Sequence, residues 1–189
     1  MAWVFAVDRA YVAEATRPAA WRRPTEPPIE NPDLPRALAA IGAVASRYLA
    51  VGTPRTMGLI IASPEQLAHA QLSVDAHRTW FSPRELRCAT IDGSHITAFG
   101  APATITDALA CDIVCIHVPL TVKANKLRRG THLNALAVVT LDDELVAAVT
   151  PEVPGLGRLA AGLVDGRQLD EITVFQAGDA HTAIRALLS

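Results

Sequence analysis

The chain is poor in the features that mark exported, membrane-bound or nucleic-acid-binding proteins. Cysteine is scarce and odd in number, three in 189 residues. This argues against a disulfide framework, and Cys88, Cys111 and Cys115 read as small buried thiols of a reduced, cytoplasmic protein. Cys111 and Cys115 have no nearby partner pair, so zinc-knuckle spacing is absent. No apolar run reaches the roughly 18 residues of a membrane span, and Met1 to Asp8 lacks a basic region leading into an apolar segment of signal length. Excess positive charge is also missing: a net charge of −2 and a pI near 6.3 leave no footprint for nucleic acid. The one basic run, with Lys123, Lys126, Arg128 and Arg129, reads as a solvated loop face. His69, His77 and His117 share no metal-ligand spacing, and neither Gly-x-Ser-x-Gly nor His-Glu-x-x-His occurs. The residues therefore identify no metal site and no catalytic side chain.

Apolar material is plentiful: half of the residues are hydrophobic and the mean hydropathy is +0.24. This suits one domain with an appendage. Residues 1–35 form the appendage. Trp3, Phe5 and Val7 alternate, followed by Tyr11 and Ala13, which suggests one or two short half-buried strands, and Pro18 to Pro35 holds six prolines, an extended connector that cannot sustain a helix. Residues 36–189 then alternate helix and strand. Asp33 and Pro35 suit the start of an alanine-rich helix over Ala37 to Ala50. Strands are expected at Met57 to Ala62, Leu86 to Ile91, Asp112 to Val118 and His132 to Val139. Between them lie a helix from Gln66 to Trp80, the segment Ile96 to Phe99, and a short helix from Thr104 to Ala110. Asp142 to Val149 reads as a helix or a helix passing into a strand. A short helix ending at Gly162, a strand from Ile172 to Phe175 and a last helix from about Asp179 complete the order. The expected fold is α/β, a Rossmann-like parallel sheet with flanking helices and a short N-terminal extension.

Met57 to Asp92 is the informative stretch. A strand, a helix with Leu67, Ala70, Val74 and His77 on one side, and a second strand ending at Asp92 make the first unit of a dinucleotide fold. The turn between strand and helix, however, reads Ala62-Ser63-Pro64-Glu65. Glycines would let a pyrophosphate approach the backbone; here Pro64 has no N–H to offer and Glu65 repels an anion.

Four segments resemble the ornithine cyclodeaminase and mu-crystallin family, which includes certain alanine dehydrogenases and ketimine reductases. They are Ala45 to Ala50 followed by Arg55 to Ile60; Ala110 to Val114, similar to the family's ADIV strand; Arg129 to Ala135, similar to PGxHxNA; and Gly162 to Arg167 with Asp170 to Phe175. The resemblance implies a Rossmann part that holds NAD(H) or NADP(H) and an N-terminal part that holds substrate and builds a dimer. It makes Asp92, Ser63, His132 and Asn134 the vestigial cofactor-binding set. Asp92 suits either a ribose hydroxyl or an Asp-Gly turn, and His132 and Asn134 suit either a ligand cleft or internal satisfaction of backbone groups.

Several family features are missing. About 35 residues precede the shared helix, too few for the substrate part. The arginine that grips substrate corresponds to Ala37, with Arg36 rotated away by about 100°, and the cyclodeaminase catalytic aspartate corresponds to Val139. These losses imply a catalytically inactive binding or assembly module that needs no cofactor. The alternative is an NAD(P)-dependent oxidoreductase, or a cyclodeaminase-type lyase, acting on an amino acid or cyclic imine. Either way the apolar N-terminal segment, residues 1–20, is expected to mediate a homo-oligomer, with a further protein partner also compatible.

Overall fold

The computed structural model describes residues 2–5, 34–50, 52–148 and 171–176. In chain order the elements are β1 (Ala2–Phe5), α1 (Leu34–Leu49), β2 (Thr56–Ile61), α2 (Leu67–Arg78), β3 (Glu85–Thr90), α3 (Ile105–Leu109), β4 (Ile113–Ile116), β5 (Leu120–Val122), β6 (His132–Ala135), β7 (Val139–Leu141), α4 (Asp143–Ala148) and β8 (Ile172–Gln176). Short 3-10 turns occupy Pro64–Gln66 and Ala124–Lys126. Six strands pair in parallel in the order β1-β8-β6-β4-β2-β3, and β5 and β7 form a separate parallel pair. This is the expected Rossmann-like architecture. Among the described residues no helix is long and apolar enough to cross a membrane.

The central strands are buried on both faces, which is why they read as nearly unbroken apolar runs. On one face Ile60, Val114, Ile116, Leu133, Ala135 and Val174 form a core with Ala108 and Leu109 of α3 and with Val122, Val139 and Leu145. On the other, Met57, Leu59, Ile61, Ile113 and Cys115 pack against Ala70 and Val74 of α2. Alternation along parallel strands puts His132, Asn134 and Thr173 on this second face, in register with Ile113 and Cys115. Alanines let α1 lie close above them: Ala39, Ala43 and Ala45 are buried. Gly42 sits mid-helix for the same reason, since a Cβ there would meet Leu136 Cδ2 at 3.2 Å and Asn134 Cγ at 3.3 Å.

Several boundaries differ from the sequence reading. Ala2–Phe5, expected as a short strand of an extension, is a strand, but it joins the main sheet beside β8. α1 begins at Leu34, ahead of the expected Ala37, and Pro35 lies in its first turn as its place at the helix start suggested; proline is tolerated there because its missing N–H has no helical partner. The expected strand from His132 to Val139 divides. β6 ends at Ala135 because its neighbour β4 is short, Leu136 N–H reaches the Ile116 carbonyl at 2.9 Å, and the chain then leaves to pair Val139 with Leu120. The β5 strand after Pro119 was not anticipated. Ile96 to Phe99 forms neither helix nor strand, although Ile96 is buried. The expected elements at Leu156 to Gly162 and from Asp179, the cap at Asp33 and most of the connector lie outside the described residues.

Two local devices position the strands. Thr104 and Asp107 form a reciprocal capping box at the start of α3. The Asp112 carboxylate accepts from the N–H groups of Arg55 at 2.8 Å and Thr56 at 2.9 Å, from the Thr56 hydroxyl at 3.0 Å, and from Arg128 at 2.8 Å. Burial alone would raise this carboxyl, but the donors outweigh it and hold it below its ordinary value. The starts of β2 and β4 are thereby tied together.

Gly58 shows how tightly α3 sits on β2: an added Cβ would collide with the Ala108 carbonyl oxygen. Gly58→Ala should therefore destabilise the protein by about 1–3 kcal/mol, the usual penalty of overpacking. Urea unfolding checks this, and an unchanged midpoint would contradict the close approach.

Candidate functional site

Open α/β sheets bind ligands beyond the carboxyl ends of their strands, where strand order reverses. That switch point is β2, flanked by β3 and β4. The residues at its end are Ala62 to Gln66. Ser63 is extended, with φ −153° and ψ 171°, and makes no side-chain cap. From Pro64 the backbone closes into a 3-10 turn: Gln66 N–H donates to the Ser63 carbonyl at 3.1 Å, and Leu67 N–H to the Pro64 carbonyl. Ala62 N–H donates to Gln66 Oε1 at 3.0 Å.

These contacts decide whether the turn suits a dinucleotide. Pyrophosphate recognition needs backbone N–H groups turned to the ligand at the start of a helix. Here the N–H groups of Ala62, Gln66 and Leu67 are engaged within the chain, Pro64 has none, and Glu65 adds an exposed carboxylate. The residues present do not fit that group.

Asp92 lies where the sequence put it, just past β3, and its N–H donates to the Ala62 carbonyl at 3.2 Å. Asp92 is thereby joined to Ala62, the residue before Ser63. The exposed Asp92 carboxylate accepts from Ser94 N–H at 2.9 Å, and this bond leads in holding its carboxyl below the ordinary range. It closes an Asp-Gly turn of its own, with Gly93 at φ 79°.

His132 and Asn134 are elsewhere. Both are fully buried within β6, beneath α1, in a continuous chain of polar contacts. Thr173 Oγ1 lies 2.8 Å from His132 Nδ1, and His132 Nε2 lies 3.1 Å from Asn134 Oδ1. Asn134 Nδ2 donates to Ser46 Oγ at 2.7 Å, and Ser46 Oγ lies 2.9 Å from His77 Nε2. His77 Nδ1 donates to the Ser73 carbonyl at 2.7 Å. A carbonyl only accepts, so the neutral His77 carries its proton on Nδ1, and His132 Nε2 donates to the Asn134 carbonyl; the Ser46 hydroxyl donates to the Gly42 carbonyl at 2.9 Å. On its other side Ser73 Oγ reaches His117 Nε2 at 3.1 Å.

Of the members of this network, His77 was legible only as a core-facing position of α2. Ser46, Ser73 and Thr173 carried no signal of their own, because their contacts cross from one element to another. Gln66 was missed too, though its contact is local. Cys115 Sγ borders the network, 3.7 Å from Asn134 Nδ2 and 4.0 Å from His77 Nε2. Complete burial pushes its thiol up to about 12, so it acts as a packed, protonated group and not as a nucleophile. Cys88 and Cys111 are likewise buried thiols, both pushed by burial to about 11. Among the described residues no cluster of ligating side chains suits a metal ion.

The network makes stability depend on pH. Burial lowers His77 to about 4, against the partial compensation of its bond to Ser73. Its unfolded counterpart takes up a proton near pH 6.5, so the stabilisation is complete above 6.5 and is lost as pH falls through 4. The loss from this ring should approach roughly 3 kcal/mol. Urea unfolding from pH 7 to 4 should show a steeper decline for the wild type than for His77→Gln. Parallel declines would remove His77 as the titrating group.

No family model and no curated protein matches the chain. Solved structures do. An archaeal alanine dehydrogenase dimer with bound NAD superposes with a TM-score of 0.59 at 20% identity, over 82% of this chain and 62% of that one. The iminosuccinate reductase of Paracoccus denitrificans, in complex with NAD+, gives 0.58 at 20% identity, over 82% and 62%. The Δ1-pyrroline-2-carboxylate reductase of Thermococcus litoralis, with NADH and L-proline, gives 0.60 at 19% identity, over 83% and 64%. The chain spans about three fifths of the length of these structures and shares the fold of NAD-binding amino-acid and imine reductases.

Proposed function

We propose that this protein is a catalytically inactive, ornithine cyclodeaminase and mu-crystallin-like module that works by binding or assembly. Val139 carries this reading. It corresponds to the catalytic aspartate of the resembled cyclodeaminases, and here it is a buried valine clustered with Val118, Val122 and Leu145. An aliphatic side chain cannot exchange a proton with a substrate or steady an iminium. The burial of His132 and Asn134 adds support, because their polar atoms contact Thr173, Ser46 and each other.

The fold likeness favours a second reading, an NAD(P)-dependent oxidoreductase acting on an amino acid or cyclic imine. The two separate on cofactor binding. A ligand at 100 times its dissociation constant stabilises a fold by about 2.7 kcal/mol, readily visible on melting. Flat melting curves with millimolar NAD+, NADH, NADP+ and NADPH are expected. A saturable rise with any of them would favour the oxidoreductase.

The same proposal makes the protein a cytoplasmic homo-oligomer assembled through residues 1–20. β1 lies at the outer edge of the described sheet, and an outer strand can pair with another chain. Light scattering should return at least twice the 20.1 kDa chain mass. A monomer at tens of micromolar would end the assembly idea without touching the inactivity.

A further inference from the structure

We propose that the Gln66 carboxamide closes the dinucleotide crevice from within, an autoinhibitory contact confined to the residues between β2 and α2. The inference deepens the inactive reading by naming the device that shuts the cofactor end of the crevice. Ala62 is the first residue past β2 at the switch point, and its N–H meets Gln66 Oε1 at 3.0 Å. That acceptor is a neutral amide oxygen, and it takes up an N–H that an anionic ligand oxygen would otherwise find open.

Donor and acceptor are four residues apart, so the turn itself brings them together. The contact is coupled to the 3-10 geometry, in which Gln66 N–H and Leu67 N–H bond back to Ser63 and Pro64. Where an anion-binding fold would begin its helix, this chain has a tight turn in which the Gln66 and Leu67 N–H groups face its own carbonyls. Pro64 removes one further donor, and the exposed Glu65 carboxylate places negative charge at the mouth.

The surroundings retain the form that the fold gives a nucleotide crevice. β2 still runs between β3 and β4 in unbroken parallel register. Asp92 still follows β3, joined to the turn through its N–H bond to the Ala62 carbonyl, with its carboxylate exposed. The block is therefore local, and Pro64, Glu65 and Gln66 together constitute it.

Two measurements on the full chain test this. Amide exchange by NMR should show the Ala62 N–H protected in the wild type and exchanging about fivefold faster or more in Gln66→Ala, the effect of losing one ordinary hydrogen bond. Gln66→Glu, which keeps an acceptor, should retain protection. The triple variant Pro64→Gly/Glu65→Gly/Gln66→Gly should then show a saturable melting shift with millimolar NAD+ where the wild type shows none. Unchanged Ala62 exchange in Gln66→Ala overturns the plug, and this arm decides the matter if the triple variant fails to fold. A folded triple variant that ignores NAD+ overturns local closure while leaving the inactive reading intact. A wild type that binds NAD+ as well as the triple variant overturns both.

Discussion

The polar layer between α1 and the sheet constrains the rest of the structure. A parallel sheet covered on both faces has no solvent for a polar side chain to reach, yet β6 and β8 place His132, Asn134 and Thr173 on an inner face with no exposure. Each must find a partner inside, since an unsatisfied buried polar group costs about 1–3 kcal/mol. The partners come from other elements, Ser46 from α1 and His77 from α2. Both helices are held at a particular height and rotation. Gly42 is the counterpart of that demand, because α1 can approach Asn134 only where no Cβ intervenes.

The same layer holds this Rossmann-like fold together from within. Side chains that would be costly to leave unpaired are tied to one another, so they contribute to the specificity of packing whether or not any ligand is bound. At the carboxyl end of β2 the chain satisfies its own donors by a different route, through a 3-10 turn and the Gln66 side chain. Interior and crevice mouth have reached the same condition, polar groups answered from within the chain. The crevice is where the fold places chemistry and the interior is where it places stability. In this protein the two follow the same hydrogen-bonding logic.

Much of the architecture was readable from the chain. Apolar runs at Met57, Ile113 and Leu133, separated by segments of helical spacing, dictate buried parallel strands, and the face of Ala70, Val74 and His77 on α2 is buried as its spacing requires. The absence of glycine after β2 was also visible, together with Pro64 and Glu65. Strand ends were less legible. The division of the segment from His132 to Val139 depends on how long β4 remains beside it, and the pairing of β5 with β7 is a long-range match with no signature in either segment.

What the sequence by itself determined was therefore the fold class, the order of most elements and the missing glycine cradle, because these follow from local periodicity and residue chemistry. Tertiary structure decided the roles of the polar residues. His132 and Asn134 could have lined a cleft or filled a core, and only the positions of Ser46 and Thr173, distant along the chain, settle them in the core. Gln66 could have pointed to solvent, and only the 3-10 closure turns its oxygen onto Ala62. A hydrogen bond has direction as well as partners, and its geometry exists only once the backbone has brought separated residues face to face.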